Sequence, residues 1–178
     1  MDDQIIRSRL LSGERILWSG RPAQGLLFVP SDAFLIPFGL FFLGFSIFWI
    51  AMASNAGGAF FLFGIPFVVV GLFMSVGRFF VDAWLRQTMV YAVTDRRILI
   101  ARPAPFGRFI SVDRSRMPES ELREGVDGRG TLRFGPPATA VYTRNNLASA
   151  IPALDPTPQF LAVDNARQVF DLVQRPAT

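Results

Sequence analysis

The sequence contains no cysteine, no histidine and no lysine. Without the first two there can be no disulfide, no Cys/His zinc site, no cysteine nucleophile, no Ser-His-Asp triad and no histidine-ligated haem. Catalysis would be left to carboxylates, arginine, tyrosine, serine and threonine, and none of these falls at a recognisable catalytic spacing. The chain therefore reads as a non-enzyme, with no catalytic residue, metal or cofactor expected. Without lysine, all 18 basic residues are arginine, a usage expected of a GC-rich bacterial genome. Against 14 acidic residues this leaves a formal charge of +4. That excess is modest and no recognised motif accompanies it, so nucleic acid is not an expected partner.

Charge is also missing locally. From Ala33 to Gly77 there is no charged residue. Within this stretch Phe34 to Ala53 (FLIPFGLFFLGFSIFWIAMA) and Ala59 to Val76 (AFFLFGIPFVVVGLFMSV) are continuous apolar runs, separated by the turn-prone Ser54 to Gly58. Twenty residues at a rise of about 1.5 Å cover about 30 Å, the thickness of a bilayer core. A soluble core hairpin would keep a polar face, and these runs keep none. A cleavable signal peptide would begin nearer Met1 and would not be followed by a second run. The reading is a transmembrane helical hairpin over 33–77, with spans about 34–53 and 59–76. Pro37 and Pro66 are expected to kink or start helices, and Gly64, Gly71, Ser75 and Gly77 to let them approach closely.

Arginine sets the orientation. Arg7, Arg9, Arg15 and Arg21 precede the hairpin, Arg78, Arg86, Arg96 and Arg97 follow it, and the connecting loop carries none. By the positive-inside rule both termini lie in the cytoplasm, which points to a multi-pass protein of the bacterial inner membrane. Arg78, Trp84 and Arg86 are the expected membrane-interface residues, the arginines touching lipid headgroups. The second helix is expected to run past Arg78 to about Arg86.

The remainder divides into an N-terminal cytoplasmic segment, 1–32, and a small cytoplasmic domain, 87–178. In the latter the patterning is β: Thr88 to Thr94, Arg97 to Arg102, Phe106 to Val112, Pro118 to Glu124, Thr131 to Phe134 and Gln159 to Val163 read as strands. A further short strand is expected around Ala140 to Tyr142, in a long loop from Pro136 to Pro158. Ala166, Val169, Phe170 and Val173 recur at helical spacing over Ala166 to Gln174, with Asp164 or Asn165 available as a cap. The expected fold is a membrane α-helical hairpin plus a small mainly-β domain, a bent antiparallel sheet or barrel of about seven strands closed by a C-terminal helix.

Several stretches resemble one family. GERILWSGRP (Gly13 to Pro22), the paired spans, YAVTDRRILI (Tyr91 to Ile100), DGRGTLRFG (Asp127 to Gly135) and FLAVDNARQVFDLV (Phe160 to Val173) together resemble bacterial membrane proteins with a pleckstrin-homology-like (bPH) domain. The resemblance covers nearly the whole chain apart from about 136–158. It implies a PH-like fold of seven strands plus a C-terminal helix. It implies no activity.

If Thr88 begins the first strand, Asp95-Arg96-Arg97 falls between the first two strands, where PH domains often hold basic residues that grip inositol phosphates. Arg96 and Arg97 are therefore the candidate anion- or partner-binding residues. Two considerations favour a plain turn. Asp95 can cap backbone NH groups or pair with an arginine. A seven-residue strand rising from the membrane also carries the turn about 20 Å away, beyond the roughly 8 Å over which headgroup charge acts. Arg102, Arg108, Arg114 and Arg116 are expected as a solvated basic stripe. Glu119, Glu121 and Glu124 form the densest carboxylate group, without a second motif to make a metal or acid–base site. The expectation is a membrane-anchored interaction module that binds a protein partner or itself, with anionic-lipid sensing as the alternative and a small transporter or enzyme behind both.

Overall fold

The computed structural model describes residues 2–55, 57–103, 107–117, 120–125, 128–135 and 151–175. In chain order the elements are α1 (Asp2–Arg7), β1 (Ile16–Gly20), α2 (Asp32–Asn55), a 3-10 turn (Phe60–Gly64), α3 (Ile65–Leu72), a π turn (Phe73–Gly77), α4 (Arg78–Gln87), β2 (Val90–Thr94), β3 (Arg97–Arg102), β4 (Arg108–Asp113), β5 (Ser120–Glu124), β6 (Gly130–Phe134), β7 (Gln159–Val163) and α5 (Ala166–Gln174). They form two compact units. One is Leu26–Asp82; the other joins Met1–Gly25 to Ala83–Thr178.

The first unit is an antiparallel helical hairpin turned inside out. The buried residues of α2 are Asp32, Gly39 and Ser46, whereas Phe34, Phe41 and Phe48 are 70%, 73% and 62% exposed. A helix in a water-soluble protein has the reverse arrangement. Small residues line the seam because the backbones nearly touch there. A Cβ on Gly39 would stand 2.8 Å from Ser75 Oγ, one on Gly71 2.9 Å from Leu43 Cα, and one on Gly64 2.2 Å from Ile50 Cγ1. Gly77, expected in the same role, faces only Phe73 of its own helix. Ser46 and Ser75 each donate to the carbonyl four residues back at 2.7 Å, so the seam hydroxyls are satisfied locally. Gly57 and Gly58, at φ +79° and +77°, supply the connecting turn.

The helical run Phe60–Gln87 is 28 residues long and α2 is 24, and both are apolar enough to cross a membrane. The second runs past Arg78, as the sequence suggests. Pro66 opens α3, while Pro37 sits inside α2. Asp32 and Arg78, the two charges that bracket the uncharged stretch, meet at the open end of the hairpin. Arg78 Nη1 lies 2.6 Å from Asp32 Oδ1, with both side chains 5% exposed or less. Asp32 Oδ2 also accepts from the Val29 NH at 2.8 Å. A π turn rephases every side chain that follows it, and Arg78 is the first of these.

The second unit contains two antiparallel sheets, with strand orders β1-β2-β3-β4 and β5-β6-β7, and the C-terminal helix α5. β1 comes from the stretch that the sequence reading sets apart as 1–32, so the whole hairpin is inserted between two adjacent strands, with Gly20 opposite Tyr91. β2 and β3 are buried on both faces. Their outer residues Val90, Ala92, Leu99 and Ala101 form a cluster with Ile6 of α1. Their inner face meets the other sheet through aromatic contacts. Phe160 stacks on Tyr91 (4.6 Å between centroids), meets Phe134 edge-on at 5.0 Å and approaches Trp18 at 5.7 Å. The fully buried Tyr91 hydroxyl accepts from the Leu161 NH at 3.1 Å.

The strands do not close into the expected barrel: among the described residues no ladder joins the two sheets. Among the described residues the main-chain link between the sheets is one hydrogen bond, Ala23 NH to Ala162 O at 2.8 Å. It falls at a bulge in β7, where Ala162 takes φ +45°. α5 buries Ala166, Val169 and Val173, close to the periodicity expected. It seats against β6 where a Cβ on Gly130 would come within 2.6 Å of Ala166 Cβ. Neither expected cap serves it: Asn165 makes no capping bond, and Asp164 pairs instead with Arg129 at 3.0 Å. The strand expected at Ala140 to Tyr142 lies outside the described residues.

Removing one member of a buried ion pair strands the other. Asp32→Ala and Arg78→Ala should each cost about 3–5 kcal/mol of hairpin stability, and the exchange Asp32→Arg/Arg78→Asp should recover part of it. Unfolding of the full chain in detergent would measure this; two single variants as stable as the parent would show the pair contributes nothing.

Candidate functional site

Asp95-Arg96-Arg97 joins β2 to β3, not the first strand to the second. The loop between the first two strands is the hairpin itself. The expected position requires Thr88 to open the sheet, and β1 precedes it.

Within the turn, each residue has a separate task. Arg97 is committed to Glu14, whose side chain is fully buried. Its Nη2 lies 2.7 Å from Glu14 Oε2 and its Nε 3.0 Å from Oε1. Arg97 also donates to the Arg9 carbonyl at 3.2 Å and to Ser111 Oγ at 3.3 Å. The Glu14 carboxylate accepts further bonds from the Leu11 NH at 2.7 Å and the Thr94 hydroxyl at 2.8 Å. The Arg97 guanidinium is the main cause that pulls the Glu14 pKa down from 4.5 to about 2, against the opposing effect of burial; the Leu11 and Thr94 bonds add to the pull. The same pairing raises the Arg97 pKa. Thr94 Oγ1 in turn accepts from the backbone NH of Arg97 at 2.8 Å and of Arg96 at 3.2 Å, shaping the turn from within.

Asp95 fastens β1. Its carboxylate accepts from the Arg15 NH at 3.0 Å, while its own NH donates to Arg15 O at 3.1 Å. Arg96 alone points outward: its side chain is exposed and makes no ion pair among the described residues. The candidate pair is therefore split. Arg97 belongs to the frame, and Arg96 is the guanidinium of the turn that stays exposed.

The other arginines singled out in the sequence are also divided. Arg114, expected on a solvated stripe, is buried. It donates to the Leu172 and Arg175 carbonyls at 2.8 and 2.7 Å and to the Thr94 carbonyl at 2.8 Å. It thereby serves the last carbonyls of α5, which have no partner within the helix, and ties them to the Asp95 turn. Burial pushes its pKa down. Arg102 donates to Ala153 O; Arg108 and Arg116 are exposed. A cleft lined by Arg102, Arg108, Asp155 and Gln159 holds only about 30 Å³, room for about one water.

Of the expected interface residues, Trp84 is 53% exposed. The two arginines turn inward instead of presenting free charge. Arg78 is 3% exposed and paired with Asp32. Arg86 is 1% exposed and donates to the Ala23 and Gly25 carbonyls, pinning the chain that leaves β1. In the carboxylate group Glu121 pairs with Arg123 at 2.8 Å, Glu124 is exposed, and Glu119 lies outside the described residues. Sequence reasoning missed Glu14 and Arg114 as organising residues; the only signal for Glu14 was a lone carboxylate ahead of the apolar strand ILW.

Comparison of the chain with protein-family models, curated proteins and solved structures finds no match.

The two arginines of the turn should respond differently. Arg97→Ala, which leaves Glu14 buried and uncompensated, should cost about 3 kcal/mol, while Arg96→Ala should stay within about 0.5 kcal/mol; equal losses in urea unfolding would refute the division. Because the folded-state pKa of Glu14 is depressed, its stabilisation is present above 4.5 and fades as pH falls toward about 2. The stability gap between the parent and Glu14→Gln should thus be on the order of 3 kcal/mol at pH 7 and narrow steadily below about pH 4.5. A gap that stays constant down to pH 3 would rule out the ionised pair as its source.

Proposed function

We propose that this chain is a membrane-anchored interaction module: a PH-like domain held at the cytoplasmic face of the bacterial inner membrane, with both termini cytoplasmic, that binds a protein partner or a second copy of itself. The observation that carries the reading is the inside-out hairpin inserted between β1 and β2. Its large side chains are exposed and its polar ones paired within the seam, which suits hydrocarbon surroundings and not water. The arginines that precede and follow the hairpin, with none in its loop, support cytoplasmic termini.

The PH-like reading draws on the family resemblance together with the strand orders β1-β2-β3-β4 and β5-β6-β7 and the terminal helix, which agree with the element count that the family implies. Anionic-lipid sensing is the second reading, carried by the outward guanidinium of Arg96; it has lost Arg97 to the Glu14 pair. A transporter is disfavoured because no charge lies between Asp32 and Arg78, and these two neutralise each other at one end of the hairpin. An enzymatic role gains no support from the perturbed groups of the turn, because Glu14 and Arg97 neutralise each other and Arg114 is spent on main-chain carbonyls.

The test uses the full chain extracted with its native lipid into polymer-bounded nanodiscs. The expected result is a complex of fixed stoichiometry, with a second protein or a second copy, insensitive to salt and to Arg96→Ala. A monomer that instead retains anionic lipid, with strong salt dependence and loss on Arg96→Ala, would replace the interaction module with a lipid sensor.

A further inference from the structure

We propose that the outer edge of β5 is the surface on which two copies of this chain associate, an inference that rests on the interaction-module reading. β5 (SELRE) is a terminal strand of its sheet, so the peptide groups on its far side face no other strand among the described residues. Such an edge is a template for another strand.

Two identical strands joined edge to edge are related by a two-fold axis perpendicular to the sheet. That operation keeps every side chain on its own face, so the axis must pass through a residue and not between two. In β5 the register that pairs all five residues has its axis at Leu122. It sets Glu121 opposite Arg123 of the second copy, and Arg123 opposite that copy's Glu121. Within one chain these two side chains already lie 2.8 Å apart on the same face, 46% and 59% exposed. Across the axis the four charges make a square in which every side joins opposite signs.

The other face is equally compatible. Leu122, half-buried in the single chain, meets its own copy and loses its remaining exposure. Ser120 accepts from Gln174 at 3.5 Å and keeps its hydroxyl proton for Glu124 of the second copy. β4, the free edge of the other sheet, offers no such match. An axis at Ile110 sets Arg108 opposite Val112, and one at Ser111 sets Phe109 opposite Asp113. The product at β5 is a continuous six-stranded antiparallel sheet. A five-residue strand pair buries less than the roughly 1,200 Å² of a stable interface, and confinement of both copies to one bilayer supplies the missing effective concentration.

The absence of cysteine makes the test clean. Antiparallel partners at the axis have Cα atoms about 4.5–5.5 Å apart, within disulfide range. Leu122→Cys in the full chain, reconstituted in liposomes and oxidised with copper phenanthroline, should form a covalent dimer; Ser111→Cys on β4 should not. Adding Glu121→Arg or Arg123→Glu should cut the Leu122→Cys dimer roughly tenfold, and the double exchange should restore it. Glu121 and Arg123 are exposed, so the reversals leave folding intact, which an unchanged unfolding midpoint verifies. Cross-linking as fast at position 111, or indifference to the reversals, overturns the proposal.

Subunit counting by single-molecule photobleaching of the cysteine-free chain separates the two levels of inference. Dimers that persist in both reversals overturn the β5 surface while leaving the module reading intact. Monomers throughout overturn self-association, and the nanodisc complex then decides the module reading on its own.

Discussion

Glu14 and Arg97 stand 83 residues apart, and the chain between them contains the entire apolar hairpin. Their ion pair is the constraint on which the β unit rests, because it fixes the first strand to a sheet whose other members are made much later in the chain. Bringing residues so far apart together costs loop-closure entropy, but the cost grows only with the logarithm of length, and the hairpin is itself ordered. A buried carboxylate left alone would be far more costly. Four donors converge on Glu14, two of them from one guanidinium, and that geometry is what makes its burial tolerable.

Arg114 performs the complementary task at the other end of the chain. Its buried guanidinium faces main-chain oxygens and not a carboxylate, gathering the last turn of α5 and the Thr94–Asp95 corner around one side chain. A lysine at this position would be a single point of charge without the planar fork that reaches several carbonyls at once. The turn that first looks like a binding site is thus the junction where the N-terminal strand, the β2–β3 corner and the C-terminal helix are tied together.

How far the sequence could be read depended on whether a residue's partner was near it in the chain. β3, β7 and α5 fall where apolar runs and helical spacing put them, because those signals are local. β1 did not declare itself: ILWSG is short, only half-buried, and ends at an Arg-Pro step that reads as a linker. The apolar runs of β2 and β3 are continuous where a half-solvated sheet would alternate, which signals cover on both faces and so announces α1 on the outer one, but a strand paired at the β2 edge leaves no such mark. The arginines were harder. Arg78 and Arg114 look like surface charge until Asp32 and the end of α5 are placed beside them, and no spacing rule links positions so far apart.

The insertion of the hairpin between neighbouring strands has a consequence for biogenesis. With the helices in a bilayer, β1 and β2 can pair only if the chain enters and leaves on the same side, so the number of crossings must be even. A chain that inserts one helix and fails to insert the other leaves Glu14 and Arg97 in different compartments. The β unit then lacks its edge strand and exposes the raw side of β2. With the helices in a bilayer, assembly of the sheet would thus act as a parity check on insertion.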